Sequence, residues 1–304
     1  SYCPNLRELE LTSCGLADPA GVPFEHLTRL CIADLPFRMH WGSTLTAAMP
    51  RLEALHCVGR YRGAVAAAAG HPSLREVWLD IGNDAEPDEA RDMLAGLKRL
   101  PRLSALKLCI WQSCFEASDD EGDDSDEDDY GTTPLPDGST CMLRTLEHLQ
   151  HCEHLTSLEL DTQFELPAHQ TLAFVGAALG DRLESLSIGP VELMGAPADA
   201  ERTLFALPLS FPRLRSLTIS LQTYWLMPLE HNAPSPCGLK LLALFEPLGE
   251  LLTRCPALQL LRVRVPARAA ESRSDCHEVA ERVRARCAGL SAAHPGKRVA
   301  FEWY

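Results

Sequence analysis

Three histidines and a cysteine lie close together in the sequence and have the residue types of a metal site: His148, His151, Cys152 and His154. Imidazole and thiolate groups are common zinc ligands. His154, however, stands in the string CEHL where His26 stands in FEHL, so it fills a repeated structural position. Helical spacing would also not hold all three histidines on one face across the break into the next strand. We therefore predict no metal site.

The short motifs that position catalytic groups are absent from the sequence. There is no H-E-x-x-H motif, no Gly-rich phosphate-binding loop and no G-x-S-x-G motif. The twelve cysteines include no C-x-x-C pair, which also argues against a structural zinc site. We predict that the chain is not an enzyme and uses no cofactor.

An acidic segment, ASDDEGDDSDEDDYG from Ala117, carries two candidate phosphorylation sites. Ser118 and Ser125 are embedded in carboxylates, as kinases that recognise acidic sequences prefer. Such a segment buries little apolar surface and repels itself, so we predict a disordered loop over residues 116–138. It is either a solubilising insertion, which is the simpler interpretation, or a regulatory arm.

The charge of the chain is unevenly distributed. Lys and Arg number 28 and Asp and Glu 42, which gives a net charge of −14, and nine of the acids lie between Asp119 and Asp129. This balance disfavours binding to nucleic acid phosphates. Arg254 to Arg298 instead contains ten bases and four acids. That segment is either a solvated helix face or a surface for an acidic partner.

Neither a membrane span nor an export signal is visible. No run approaches about 18 uninterrupted apolar residues, and the first residues, SYCPNLRELE, lack a basic start followed by an apolar stretch. The cysteines are dilute and recur at repeat positions, so we interpret them as reduced, small hydrophobic residues. We expect a protein of the cytoplasm, the nucleus or both, without a membrane partner.

The positions of these side chains depend on an internal repeat of the form L-x-x-L-x-L, with Ile, Val or Cys allowed at the later apolar places. It occurs as LRELEL from Leu6, LTRLCI from Leu27, LEALHC from Leu52, LREVWL from Leu74, LSALKL from Leu103, LTSLEL from Leu155, LESLSI from Leu183, LRSLTI from Leu214 and LQLLRV from Leu258. The strings CPN, MPR, HPS, LPR, FPR and CPA precede six of these nine starts. The strand VAFEW from Val299 is a candidate tenth unit.

Most of the repeats follow one another at 21 to 31 residues, which is close to the period of leucine-rich repeats. The two longer gaps, of 52 and 44 residues, contain the acidic insertion 116–138 and a Pro-rich insertion, 226–238. We predict one α/β leucine-rich-repeat solenoid over residues 1–304. Its curved parallel sheet would form the concave face, and helices and short turns the convex face.

Each repeat is expected to form a short strand whose leucines point inward, while the return segments cover the core. Residues from Pro87 to Leu97 and from Cys276 to Leu290 have the pattern of amphipathic helices. A solenoid needs capped ends. Because the sequence starts inside a repeat without Met, we expect an N-terminally truncated fragment.

The first repeat, CPNLRELELTSCGLAD from Cys3 to Asp18, resembles the cysteine-containing leucine-rich repeat of F-box proteins. The resemblance rests on the leading Cys-Pro, the three leucines, Cys14 and the trailing Leu-x-Asp. It implies the substrate-recognition domain of an SCF-type ubiquitin ligase, which would dock to the ligase core through an F-box that this chain does not contain. A general scaffold or sensor solenoid is the alternative, and a GTPase-activating or other catalytic solenoid is less similar.

The outward strand positions are the default contact residues of a solenoid. Trp78 is the first choice among them, because an exposed aromatic side chain on a rigid strand is a good binding anchor. Its alternative is a tryptophan packed against neighbouring strands. The predicted partner-binding residues are Glu10, His56, Trp78, Asp80, Lys107, Glu159, Asp161, Arg262 and Arg264.

Overall fold

A computed structural model describes most of the repeated part of the chain. The described residues are 3, 5–12, 24–33, 46, 48–58, 65, 68–81, 92–93, 95–110, 146–162, 168–191, 207, 210–221, 245–265 and 275–303. The predicted insertions 116–138 and 226–238 lie outside these residues, as do Ser118 and Ser125.

The prolines that precede the repeats form tight turns. The N–H group of the first leucine donates to the carbonyl three residues earlier, as from Leu52 to Met49 at 3.1 Å and from Leu214 to Phe211 at 3.2 Å. Proline stands at the second position of these turns, where its fixed φ angle favours this conformation. Met49 and Phe211, which begin the two turns, are buried. The recurring lead-in strings therefore encode both a turn and a core residue.

All nine predicted repeats contain a strand, and the candidate tenth unit contains one too. The strands are β1 (Glu8–Thr12), β2 (Arg29–Ala33), β3 (Ala54–Val58), β4 (Glu76–Ile81), β5 (Ala105–Ile110), β6 (Ser157–Thr162), β7 (Ser185–Val191), β8 (Ser216–Leu221), β9 (Leu260–Val265) and β10 (Arg298–Trp303). The strands are parallel, and the described chain is an α/β structure with few helices. Parallel pairing in sequence order is compatible with a solenoid.

The chain divides into two compact units. Unit 1 contains residues Ser1–Leu103 and Cys109–Glu153, and unit 2 contains Ser104–Leu108 and His154–Tyr304. In unit 1, β1 to β4 pair in order, and their residues alternate between the core and the opposite face. In β4, for example, Val77, Leu79 and Ile81 are fully buried, whereas the alternate residues Glu76, Trp78 and Asp80 are half-buried. The two-residue alternation predicted for the strands is confirmed here.

A buried histidine replaces the usual apolar residue at one lead-in of unit 1. His71 is fully buried, and its Nε2 atom lies 3.0 Å from the Met49 carbonyl oxygen. The N–H group of Ser73 donates to Nδ1 at 3.3 Å. Because Nδ1 accepts this bond, Nε2 carries the proton and donates. Both ring nitrogens are thus satisfied in the core, and His71 has a structural role.

In unit 2, residues 105–108 of β5 and the strands β6 to β10 also pair in sequence order. The register of β7 and β8 is regular from Ser185 to Ile188 and shifts before Val191. Pro190 lies at the shift and has no N–H group to donate to a neighbouring strand. Proline within a sheet is found mainly at such irregularities and at edges.

Three α-helices and one 3₁₀ helix are described with their bounds: α1 (Ala168–Leu179), α2 (Phe245–Arg254), α3 (Asp275–Ala293) and the 3₁₀ helix Glu147–His151. Of the apolar stripe predicted for Cys276 to Leu290, Val283 and Cys287 are buried and Ala280 and Leu290 are half-buried. Of the predicted helix Pro87–Leu97, residues 92–93 and 95–97 are described and are helical. None of the helices in the described ranges is long and apolar enough to cross a membrane.

The last carbonyl groups of two helices in unit 2 are capped by basic side chains. Lys297 donates from Nζ to the carbonyl of Leu252, and also to that of Cys255 at 2.6 Å, at the end of α2. Arg182 donates to the Ala178 carbonyl at 2.9 Å near the end of α1. Such groups lack a partner within the helix, so these contacts fix where α1 and α2 end. Burial lowers the pKa of Lys297.

Candidate functional site

The strand residues that point away from the core define one face on each unit. The unit 1 face comprises Glu8, Glu10, Thr12, Arg29, Cys31, Ala33, Ala54, His56, Val58, Glu76, Trp78 and Asp80. The unit 2 face comprises Ala105, Lys107, Ser157, Glu159, Asp161, Ser185, Ser187, Gly189, Ser216, Thr218, Ser220, Leu260, Arg262, Arg264, Arg298, Ala300 and Glu302. All nine predicted partner-binding residues lie on these faces.

Four residues of the unit 1 face form one row across β1 to β4. In order they are Glu10, Cys31, His56 and Trp78, each in register with the next. The His56 and Trp78 rings meet edge to face, with centroids 5.2 Å apart and planes at 63°. Edge-to-face packing is a preferred geometry for aromatic rings. Trp78 is half-buried, so it packs against a neighbouring strand and also presents part of its surface to solvent.

The Glu76 carboxylate contacts the His56 ring at its Nε2 atom. Its Oε1 atom lies 3.1 Å from His56 Nε2, and the two side chains are 45% and 11% exposed. The carboxylate accepts a hydrogen bond from Nε2, which holds the imidazole ring upright beside Trp78. Sequence reasoning placed Glu76 on this face but did not select it, because the contact joins residues 20 positions apart.

Cys31, His56 and Glu76 are of the residue types that nucleophilic catalysis uses. Burial and the Glu10 carboxylate raise the pKa of the Cys31 thiol, against a smaller opposing effect of Arg29. Burial, with a smaller effect of Cys31, raises the pKa of Cys57 to about 12. A reactive cysteine requires a lowered pKa, because the thiolate is the nucleophile. The arrangement therefore does not activate the thiol.

Unit 1 thus presents an aromatic pair on a mainly acidic face. Four carboxylates lie on it, those of Glu8, Glu10, Glu76 and Asp80, together with one permanently cationic side chain, Arg29. Glu10 is exposed and Asp80 is half-buried. Strands β1 to β4 thus combine acidic and aromatic character on one face.

The middle of the unit 2 face is lined by small hydroxyl side chains. These are Ser157, Ser185, Ser187, Ser216, Thr218 and Ser220 on β6, β7 and β8. Within the part of the chain that the structure describes, none of the six hydroxyl groups forms a hydrogen bond to another residue. Thr218 is only 6% exposed, whereas the five serines are half-buried and are therefore available to donate to, or accept from, a bound molecule.

The hydroxyl residues of β6 to β8 form a strip together with Gly189. At Gly189 the backbones of β7 and β8 lie close together. A Cβ atom at Gly189 would lie 2.4 Å from Ser220 Cβ and 3.3 Å from Ser220 Cα. Real Cβ atoms do not approach that closely, so a side chain here would force β7 and β8 apart. The strip therefore consists of small residues. Larger charged side chains flank it, Lys107 and Glu159 on one side and Arg262 and Arg264 on the other.

An ion pair bounds the strip on the β6 side. Lys107 Nζ lies 2.9 Å from Glu159 Oε1, and the two side chains are 32% and 36% exposed. Asp161, two residues further along β6, is half-buried. Of the residues predicted from sequence, the structure brings Lys107 and Glu159 together.

Two arginines bound the strip on the β9 side, and both meet one carboxylate of β10. Arg262 Nε lies 2.6 Å from Glu302 Oε1, and Arg264 Nε donates to Glu302 Oε2 at 3.4 Å. The Arg262 contact is ionic without the alignment of a hydrogen bond. Sequence reasoning missed Glu302, although the alternation of VAFEW from Val299 already places it on the outward side.

No group of three or more His, Cys, Asp or Glu side chains in the described residues has an arrangement that could hold a metal ion. His148 is half-buried, and His151 and His154 are exposed. All seven cysteines for which the structure gives a state are free thiols.

The chain matches no protein-family profile, and no curated protein matches it with statistical significance.

Proposed function

We propose that the chain is a leucine-rich-repeat solenoid that binds a partner protein on its strand faces. The observation that carries this proposal is the register of the outward residues, which lie in rows on β1 to β4 and on β6 to β10. A rigid backbone that displays half-exposed side chains in rows suits recognition of an extended or folded protein surface. We also propose that these faces form the concave surface of the solenoid and that the partner lies on it.

The proposal excludes catalysis by this chain. It is supported by the raised pKa values of Cys31 and Cys57, because a nucleophilic thiol needs the opposite shift. Among the hydroxyls of the unit 2 face, Ser187 is in register with Glu159, whose carboxylate is paired with Lys107, and no histidine lies on the described part of this face. These hydroxyls are binding groups of ordinary reactivity.

We further propose that the bound protein is a substrate of an SCF-type ubiquitin ligase. The support is the resemblance of Cys3–Asp18 to the cysteine-containing repeats of F-box proteins. On this proposal an F-box elsewhere in the cellular protein would contact the ligase core, and the strand faces would select the substrate.

Affinity purification of the full-length cellular protein tests both proposals, partner binding on the strand faces and membership of an SCF-type ligase. We expect cullin-ligase subunits together with a substrate protein. Two variants of the chain should reduce substrate recovery without affecting the ligase subunits: Trp78→Ala on the unit 1 face and Ser187→Glu on the unit 2 face. Arg284→Gln is the matched control, because Arg284 is exposed on α3 and belongs to neither face.

The results can contradict the ligase proposal and the partner-binding proposal independently. Consistent absence of cullin-ligase subunits, with partner capture still dependent on Trp78 or Ser187, would leave a general scaffold or sensor solenoid as the function. Partner capture that is insensitive to both substitutions would contradict the use of the strand faces themselves.

A further inference from the structure

Arg262 and Arg264 on β9 have different neighbours on their two sides. On the β10 side, both reach Glu302, which offers one carboxylate oxygen to each. On the β8 side, Thr218 is in register with Arg262, and Ser220 with Arg264. Neighbouring strands lie about 4.8 Å apart. The two guanidinium groups therefore have a carboxylate on one side and two small hydroxyl side chains on the other.

The charge of this group is not balanced within it. Two guanidinium groups face one carboxylate, so the group keeps one positive charge. Each guanidinium has five N–H donors, and Glu302 contacts the Nε atom of each arginine. The buried Arg262 Nε has no hydrogen-bond acceptor aligned with it among the described residues. The arginines are 32% and 36% exposed, so a molecule from solvent reaches them.

The β8 side supplies short side chains and no second carboxylate. Ser220 is half-buried and Thr218 is 6% exposed, so the partly exposed guanidinium groups of Arg262 and Arg264 have only these hydroxyl side chains beside them on β8. A carboxylate above these residues would accept hydrogen bonds from a hydroxyl and from a guanidinium. It would complete a ladder in which carboxylates and guanidinium groups alternate across the strands.

We propose that the surface formed by Ser220, Arg262 and Arg264 binds an aspartate or glutamate side chain of an acidic segment in the partner protein. The inference rests on the proposed protein-binding function and names the chemistry of that partner. One carboxylate neutralises the remaining positive charge, and its planar shape fits the guanidinium fork. A phosphoryl group, with a charge of about −1.5 to −2, would over-neutralise the same group.

The test uses the full 304-residue chain and three short peptides. They are acetyl-Gly-Ser-Glu-Ser-Gly-amide and the same peptide with glutamine or phosphoserine in place of glutamate. Binding is followed by NMR through the Nε–Hε signals of Arg262 and Arg264. We expect the glutamate peptide to shift both signals, and the glutamine peptide to leave them unchanged at the same concentration.

Four variants sharpen the test. Arg264→Gln should weaken binding of the glutamate peptide about tenfold, because a charge-assisted hydrogen bond is lost. Glu302→Gln should strengthen it about threefold at low salt, because a competing carboxylate is removed. Ser220→Glu should abolish it, since the chain then supplies the acidic group itself. Arg284→Gln on α3 should leave it unchanged.

Three results would overturn the inference: equal binding of the glutamate and glutamine peptides, no shift with any peptide, or shifts with the phosphoserine peptide alone. The last result would identify the occupant as a phosphoryl group. Weaker binding in Glu302→Gln would also contradict the charge argument. These outcomes are distinct from failure of the proposed function, because partner capture that depends on Trp78 or Ser187 can persist when the carboxylate site is refuted.

Discussion

On the unit 1 face, the middle row is filled by an aromatic pair, whereas the corresponding part of unit 2 is a strip of hydroxyl side chains between ion pairs. The backbone arrangement is the same in both, with parallel strands in register. In unit 1, His56, Glu76 and Trp78 hold one another. In unit 2, the hydroxyls form no hydrogen bonds with the described residues, and Glu302 neutralises only part of the arginine charge.

This difference separates stability from recognition. A side chain that packs against its neighbours stabilises the fold and gives up part of its binding capacity, whereas an unused hydroxyl contributes little to the fold and keeps that capacity. We therefore expect substitutions on the unit 1 face to alter folding more, and polar substitutions on the unit 2 face to alter binding more.

Gly189→Ala should have the largest effect on stability among the changes considered, although it lies on the hydroxyl face. The new Cβ atom would lie 2.4 Å from Ser220 Cβ, and relief of that overlap costs about 2–3 kcal/mol. Urea unfolding measures the loss. The control is Gly289→Ala in α3, where no atom lies within 4 Å of the new Cβ; it should stabilise by up to about 1 kcal/mol. Equal midpoints for wild type and Gly189→Ala would contradict the close approach of β7 and β8.

Trp78→Ala should lower the free energy of unfolding by about 2 kcal/mol, because a half-buried aromatic side chain loses its packing. Ser187→Ala on the other face should change it by no more than about 0.5 kcal/mol. A double-mutant cycle of Trp78→Ala with His56→Ala should give a coupling of about 1 kcal/mol from the edge-to-face contact. Equal losses for Trp78→Ala and Ser187→Ala would remove the contrast between the faces.

Alkaline pH should destabilise the protein through its buried thiols, and Cys57 of unit 1 is the clearest case. Its folded pKa of about 12 lies above the unfolded value of 9.0. Its stabilising contribution is therefore complete below pH 9 and is lost as pH rises from 9 towards 12. At pH 10 the loss is about 1 kcal/mol.

Urea unfolding at pH 7 and pH 10 under reducing conditions measures this effect. Cys57→Ala is expected to reduce the difference between the two pH values, whatever it does to stability at pH 7. An unchanged difference would place the alkaline sensitivity elsewhere, for example at Cys255 or Cys287, whose pKa values burial raises to about 11.

The smallest effects should come from the ion pairs that bound the unit 2 strip. Glu159→Gln removes the carboxylate that pairs with Lys107. Glu302→Gln removes the carboxylate shared by Arg262 and Arg264, which are neighbours on the same side of β9. These side chains are about a third exposed or more, so each substitution should cost about 0.5 to 1 kcal/mol at most. Glu302→Gln should show the stronger dependence on salt, because two like charges are left without screening by a carboxylate. Identical salt dependence in the two variants would contradict this.

The repeat predicted the strands because it encodes local requirements. Proline at the second position of six of the nine lead-ins favours a turn, and apolar residues at alternate positions favour a strand with one buried side. The starts from Leu6 to Leu258 therefore predicted the strands β1 to β9, and the VAFEW string predicted β10. The burial of Val283 and Cys287 followed from the helical period in the same way.

The alternation of inward and outward positions along each strand also predicted the outward residues. It carries no information about which outward side chains contact one another. The sequence also shows acidic residues at outward positions of the early repeats and a basic segment from Arg254 to Arg298. The tertiary structure decided that Glu302 takes up part of the Arg262 and Arg264 charge, and that Glu76 orients His56 beside Trp78. These contacts join residues 20 to 40 positions apart. Their geometry depends on the register between strands and on the length of each return segment, which no local pattern specifies.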